Sequence, residues 1–188
     1  MLRIIAGDAK RKPLKVPAGV SRPTTDRVRE NIFNLIYDLV QESRVLDLFA
    51  GSGALGLECV SRGSTHATFV EADRGAGRVI RENIQKTELS PYCSLVLQDV
   101  YQFLKTNRQS FDLIFADPPY WKQVGDDDHV ATLLAMPELQ NALTDEGYLL
   151  IEQHSDTVVH EPDAWDLIEN RKYGACRVLL YRIAFEAE

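Results

Sequence analysis

The sequence predicts an α/β fold. It reads as a Rossmann-like, doubly wound, seven-stranded and mostly parallel sheet with an antiparallel edge strand, preceded by a short N-terminal basic hairpin arm and a helix. Three observations predict it. From Arg44 onward, strand-like apolar runs alternate with helix-period segments, the pattern of parallel βαβ units. The first strand runs into Asp47-Leu48-Phe49-Ala50-Gly51-Ser52-Gly53-Ala54-Leu55-Gly56, a glycine loop between a strand and a helix. The fourth strand stops at Asp117-Pro118-Pro119-Tyr120.

The elements follow in order. Leu2-Arg3-Ile4-Ile5-Ala6 and Leu14-Lys15-Val16 have strand character and pair as a hairpin through Gly7 to Pro13. Asp26 to Val40 places Val28, Ile32, Leu35, Ile36 and Leu39 at helical spacing, an amphipathic helix. Arg44 to Phe49 is a strand, Ala54 to Arg62 a helix and His66 to Glu71 a second strand. A helix over Gly75 to Thr87, a strand over Ser94 to Gln98 and a short helix near Tyr101 to Lys105 come next. The strand Phe111 to Ala116 follows, then a helix from His129 to Leu143 interrupted at Pro137, where the proline lacks an N–H. Gly147 to Glu152, Trp165 to Ile168 and Arg177 to Ala184 complete the strands, the last two separated by Lys172-Tyr173-Gly174. Residues 1–40 are set apart as arm and helix, and residues 41–188 as the Rossmann-like part of one domain.

Bulk properties allow an enzyme without naming one. A chain of 188 residues with 45% hydrophobic and 26% charged residues has the composition of an ordinary globular domain. No apolar stretch reaches the roughly 18 to 20 residues of a membrane span, so a cytoplasmic location and no membrane partner are expected. Cys59, Cys93 and Cys176 lie far apart, and His66, His129, His154 and His160 show no ligand spacing, so no disulfide framework and no metal are expected. The net charge of −7 hides an asymmetry: residues 1–30 carry eight basic groups against three acidic, and the remaining 158 carry 13 basic and 25 acidic. A basic arm on an acidic body suits a local phosphate-binding surface. Lys10, Arg11 and Lys12 on the arm, with Arg22, Arg27 and Arg29 around the first helix, are the candidate phosphate contacts.

Two motifs carry the chemistry. The glycines of the 47–56 loop let a ligand approach the backbone, and the helix after it offers unsatisfied N–H groups. Asp47, Gly51 and Gly53 are the candidate cofactor contacts there, and Glu71 ends the next strand where a ribose diol needs a carboxylate. Asp99, at the end of the third strand, accepts from an adenine amine or caps the helix at Val100. In Asp117-Pro118-Pro119-Tyr120, the Asp117 carboxylate and the Pro118 carbonyl accept from an exocyclic amine while Tyr120 stacks on its ring; the plain alternative is a tight turn. A nicotinamide cofactor leaves that cluster without a task, whereas a sulfonium methyl donor needs an oriented amine. S-adenosylmethionine is therefore the expected cofactor, with Asp117 at its methyl end.

Asp-Leu-Phe-Ala-Gly-Ser-Gly-Ala-Leu-Gly-Leu-Glu at 47–58, Val70-Glu71-Ala72-Asp73, Gln98-Asp99-Val100 and Asp117-Pro118-Pro119-Tyr120 together resemble class I amino-methyltransferases. Arg3-Ile4-Ile5-Ala6-Gly7 and the segment Arg22 to Asn34 sharpen the resemblance to the RsmD family. It implies methylation of the N2 amine of a guanine in bacterial 16S ribosomal RNA, within an assembled or assembling small subunit; a monomer is expected. Glutamine-N5 methylation of a protein and a ribosome-assembly role with secondary catalysis are the alternatives. The first is disfavoured by Asp117, where glutamine methyltransferases of this fold show Asn. The acidic run Asp126-Asp127-Asp128 is unusual beside an RNA substrate and suits the start of a helix. Transfer to an aromatic amine rests on proximity and orientation, with no covalent nucleophile. The base must be unstacked, and Tyr120 offers replacement stacking worth about 1 to 3 kcal/mol.

Overall fold

Unbroken apolar runs become the central strands, because a parallel strand covered on both faces has no polar side. The structure, a computed structural model, describes residues 2–18, 25–119 and 128–184. Its elements are α1 (Asp26–Leu35), α2 (Tyr37–Val40), β1 (Arg44–Leu48), α3 (Ala54–Ser61), β2 (His66–Glu71), α4 (Arg74–Thr87) and β3 (Cys93–Leu97). There follow α5 (Val100–Thr106), β4 (Phe111–Ala116), α6 (His129–Leu134), α7 (Pro137–Asn141), β5 (Leu143–His154), β6 (Trp165–Tyr173) and β7 (Cys176–Ile183). The sheet order is β3-β2-β1-β4-β5-β7-β6. β1, β2, β3, β4 and β5 pair in parallel, so their carboxyl ends share one edge.

The antiparallel strand is β7, and it lies one place in from the edge. The two closing strands differ in what they can bury. Val178, Leu179, Leu180 and Tyr181 on β7 are all buried, whereas β6 carries Asp166, Glu169, Arg171 and Lys172 and takes the solvated edge. Two apolar layers cover the sheet. Leu46, Leu48, Ile114, Leu149 and Ile151 pack with α5, α6 and α7 on one face. Val45, Phe69, Leu113, Phe115 and Leu150 pack with α1, α3 and α4 on the other.

Helix boundaries depart from the periodicity in one place. The expected helix over Asp26 to Val40 is interrupted at Ile36, whose φ of −104° and ψ of 21° are not helical. The break keeps Ile32, Phe33, Ile36 and Val40 all in the core, while Tyr37 turns out to solvent. Thr25 caps α1 by accepting from the Val28 N–H at 3.3 Å. Pro137 separates α6 from α7, as its position in the sequence requires.

The N-terminal hairpin closes through an Arg3–Pro13 bridge, with the Ile4 N–H donating to the Lys12 carbonyl and the Leu14 N–H to the Leu2 carbonyl. Leu2, Ile4 and Leu14 share one core with Ile32, Phe33 and the sheet. The boundary at residue 40 is thus one of sequence character and not of packing. Three polar side chains seat the arm. Fully buried Glu58 on α3 accepts from the Ile5 and Ala6 N–H groups at 2.7 and 3.0 Å and from Arg62 Nε at 2.8 Å. Ser61 donates to the Ala6 carbonyl and accepts from the Ala9 N–H. Asn83, on α4 and fully buried, accepts from the Lys15 N–H at 2.8 Å and donates to the carbonyls of Lys15 and Ser52 at 2.9 and 2.8 Å. Gly7 has φ +79°, and a Cβ there would lie 1.6 Å from the Ser61 carbonyl oxygen, so the approach admits only glycine.

Replacing Glu58 with Ala strands two backbone donors, removes the carboxylate bonded to half-buried Arg62 and leaves the fully buried Arg29 with Asp26 as its carboxylate partner. We expect a loss of about 3 to 5 kcal/mol in unfolding free energy by urea titration. A loss below about 1 kcal/mol would mean that Leu2, Ile4 and Leu14 hold the arm on their own.

Candidate functional site

The site begins where β1 ends. Phe49, the residue after the strand, adopts φ +57°, a conformation uncommon outside glycine. Its ring meets Tyr101 at 6.4 Å and His129 at 5.9 Å between centroids, and the Tyr101 hydroxyl bonds His129 Nδ1 at 2.5 Å. Gly51 and Gly53 follow with φ of +56° and +75°, and Gly53 is the N-cap of α3. Gly56 serves packing: a Cβ there would lie 2.4 Å from the Phe69 ring.

Two carboxylates hold the loop. Glu71 accepts from the Gly51 N–H at 2.9 Å through one oxygen and from the Asp73 N–H at 2.8 Å through the other. Asp47, buried beneath, accepts from the Gly56 N–H at 3.0 Å. Each carboxylate oxygen has two lone pairs, so these bonds leave Glu71 capacity for a ligand hydroxyl. Burial pushes the Asp47 carboxyl up to about 7; the Gly56 N–H opposes the rise and nearby Glu71 adds to it. Asp99 is exposed at the end of β3, and its Oδ1 accepts from the Gln102 N–H at 3.0 Å as the N-cap of α5.

Asp117 directly follows β4, and Pro118 is buried beside it. Burial raises the Asp117 carboxyl well above the usual range, with the charges of Glu152 and Asp47 acting in the same direction. Glu152 comes from β5: Ala116 pairs with Ile151, which makes Asp117 and Glu152 next in register. Behind the loop, a recess of about 20 Å³ bordered by Pro118, Pro119, Asp128, His129, Glu152 and Thr157 has room for about one water. Asp128 caps α6 through the Ala131 N–H and pairs with His160 Nε2 at 2.8 Å.

Asp47, Gly51, Gly53, Glu71, Asp99, Asp117 and Pro118 thus all come to the carboxyl edge of the sheet, from the ends of four strands. Tyr120 and Arg22 lie outside the described residues. The basic candidates divide. Lys10 and Arg11 are exposed at the hairpin turn, which is tied to Ser61 at the far end of α3. Eight residues of helix span about 12 Å, so that turn stands on the order of 12 Å from the glycine loop. Lys12 donates to the Thr87 carbonyl and pairs with Glu88 at 2.9 Å. Arg27 is exposed on α1. Arg29 does not belong to the surface at all: it is 1% exposed, donates to the Arg3 carbonyl and to Asp26 at 2.7 Å each, and stands 4.0 Å from Glu58. Its place on the buried stripe of α1, beside Ile32 and Phe33, explains the correction.

Sequence reasoning missed Glu152, Asn83 and the Phe49–Tyr101–His129 cluster. Glu152 had a signal, a carboxylate closing an otherwise apolar strand. Asn83 had none, because an asparagine inside a helix reads as a solvated polar residue.

The description "Conserved hypothetical protein 95" belongs to the family model that matches residues 2–182 of the chain. A Haemophilus influenzae protein named Ribosomal RNA small subunit methyltransferase D is 32% identical over 186 residues, covering 96% of this chain and 93% of that one. Its namesake in Escherichia coli K12 is 31% identical over 189 residues, with 100% and 92% covered. Among solved structures, a Thermus thermophilus protein described as hypothetical superposes with a TM-score of 0.79 at 32% identity, covering 97% of this chain and all of that one.

The Asp47 carboxyl yields a pH prediction. Its pKa rises from 3.8 to about 7 on folding, so the native state holds the proton more tightly and stability is lost as pH climbs through that window. Asp47→Asn does not titrate there. Its advantage over the parent in unfolding free energy grows by up to about 1.4 kcal/mol per pH unit between pH 4 and 7, and is flat above that. A pH-independent difference in denaturant titrations would contradict the burial of that charge.

Proposed function

The chain belongs to the RsmD family, described as conserved hypothetical protein 95, and we propose that it methylates the exocyclic N2 amine of a guanine in 16S ribosomal RNA, with S-adenosylmethionine as donor. The observation that carries the reading is the placement of Asp117 and Pro118 at the sheet edge that also holds the glycine loop and Glu71. The names of the full-length relatives, small-subunit ribosomal RNA methyltransferases, support the substrate class.

The residues fit the cofactor on three counts. The loop is built on left-handed glycines at the start of α3, Glu71 has acceptor capacity at the end of β2, and Asp99 lies exposed at the end of β3. Glu71 would hold the ribose hydroxyls, Gly51 and Gly53 would let the cofactor close on the backbone, and Asp99 would accept from the adenine amine. When bound, S-adenosylmethionine supplies an electrophilic methyl on a cationic sulfonium. Burial and neighbouring like charge hold the Asp47 and Asp117 carboxyls above the usual range, and a cation beside them would favour their ionised forms. Asp117 and the Pro118 carbonyl accept the two N–H bonds of the target amine and fix its orientation. Orientation carries most of the acceleration, because the amine is neutral and needs no covalent activation.

The exposed positive charge of the arm is concentrated at Lys10 and Arg11, with Arg27 on α1, since Lys12, Lys15 and Arg3 are paired with Glu88, Glu82 and Asp26. These three exposed residues are the proposed RNA contacts of the described surface. Neutralising Lys10 and Arg11 should weaken RNA binding and flatten its salt dependence by about 0.7 to 0.9 log unit for each phosphate no longer engaged. An unchanged slope removes the hairpin turn from the interface.

The deciding experiment incubates the protein with radiolabelled S-adenosylmethionine and, separately, small ribosomal subunits, naked 16S RNA, duplex DNA and a release-factor protein. Label is expected in the ribosomal RNA, at guanine N2 on nucleoside analysis, and label confined to DNA or protein would sink the reading. Asp117→Ala should abolish transfer while cofactor affinity by calorimetry stays within a few-fold. Loss of cofactor binding would mean the acceptor side is misassigned.

A further inference from the structure

We propose that Glu152 is a positioning residue for Asp117: the two carboxyls, side by side at the ends of β4 and β5, hold one proton between them and act as a single acid–base unit. The inference rests on the reading of Asp117 as the residue that faces the target amine. Its geometry is that of neighbouring parallel strands. Ala116 pairs with Ile151, so the next residues in register are Asp117 and Glu152, on strands about 5 Å apart. Side chains alternate between faces, and Phe115 and Leu150 both enter the core shared with α1 and α3. Asp117 and Glu152, each two residues further on, therefore project from that same face. Glu152 is 2% exposed and borders the recess behind Pro118 and Pro119.

The surroundings favour one charge on this pair, not two. Asp47 faces it from β1 and adds a further carboxyl. Cys176 faces it from β7, and its thiol, pushed up chiefly by burial, is hydrogen-bonded to Glu152. From α3, beyond Asp47, come Cys59, Glu58 and Arg62, and Arg62 is engaged by Glu58 at 2.8 Å. Two carboxylates sharing a buried site cannot both ionise cheaply, and their protons leave in two steps that belong to the pair. Burial and the Glu152 charge accordingly raise Asp117 well above the usual range.

The shared proton answers a chemical need of amine methylation. Once substituted, the nitrogen carries an excess proton. Its N–H bond breaks with the electron pair staying on nitrogen, and the proton passes to Asp117, taking the pair from one proton to two. The second proton then leaves to water through the open edge of Asp117. The substituted aromatic nitrogen is a strong acid, so an ionised Asp117 carboxylate suffices as base, and the shared proton sets the pH range in which Asp117 is ionised.

The test is a titration of the protein alone. With 13C-labelled aspartate and glutamate side chains, the Asp117 carboxyl should titrate well above the ordinary carboxylate range, and in Glu152→Gln its midpoint should drop by at least one pH unit. The acid limb of methyl transfer to small subunits should move down with it, since Asp117 then stays ionised to lower pH. A midpoint for Asp117 that is ordinary in the parent, or unmoved in Glu152→Gln, overturns the inference. If Glu152→Gln does not fold, Asp117→Asn provides the reciprocal readout: the Glu152 midpoint should fall, and an unmoved midpoint overturns the inference equally. Failure of methyl transfer to ribosomal RNA in the parent would sink the function instead, and would leave these titrations as they are.

Discussion

Like charges meet at the carboxyl edge of this sheet, and much of the local architecture manages them. Parallel pairing brings Asp47, Glu71, Asp117 and Glu152 to neighbouring strand ends, where none would choose to stand near another in water. Two of the four are met by backbone. Glu71 draws the N–H groups of Gly51 and Asp73 toward itself, and Asp47 draws that of Gly56. A backbone that aims its N–H groups in this way has to turn tightly, and the left-handed conformations of Phe49, Gly51 and Gly53 are the form that turn takes. The loop that would receive a cofactor is therefore shaped by the acids beneath it. Asp117 and Glu152 come from the next strands, and there burial and the Glu152 charge push the Asp117 carboxyl up.

The fold was legible in the sequence wherever one physical effect dominated. Apolar runs such as Phe111 to Ala116 admit only a strand buried on both faces, and the glycine loop admits only a strand-to-helix crossing. The central strands were legible for that reason, and the outer ones by their strand-like alternation between turns. Legibility failed where two effects compete within one stretch. The period through Asp26 to Val40 supports an unbroken helix, yet the core takes Ile36 and Val40 at the cost of a turn. The closing strands read as an antiparallel edge, but which of them takes the interior depends on the second face of Arg177 to Ile183 and not on its mere strand character.

The candidate site was legible in its acids and glycines and obscure in its cations. A carboxylate after a strand has few structural excuses, so Asp47, Glu71 and Asp117 stood out. An arginine in an amphipathic helix has many. Arg29 looked like its neighbour Arg27, but three residues from Ile32 along the buried stripe it becomes the tie between the arm and α1. The charge asymmetry of the sequence suffers the same fate in part. Much of the basic arm is spent against Glu82 and Glu88 of the acidic body and against Asp26 of its own segment, so net charge by segment overstated the surface left for a polyanion.

The seating of the hairpin by Glu58, Ser61 and Asn83 has a consequence for biosynthesis. The arm leaves the ribosome ahead of its anchors: Arg29 lies 26 residues beyond Arg3, Glu58 and Ser61 more than fifty residues beyond the groups they bond, and Asn83 68 residues beyond Lys15. Chains are made at about 5 to 20 residues per second, so for several seconds the nascent arm has at most α1 to dock against. During that interval its lysines and arginines are unshielded by the acidic body, within reach of the ribosomal RNA around the exit. Completion of α4 ends that exposure, and it closes the glycine loop from behind in the same step, because one asparagine side chain serves both.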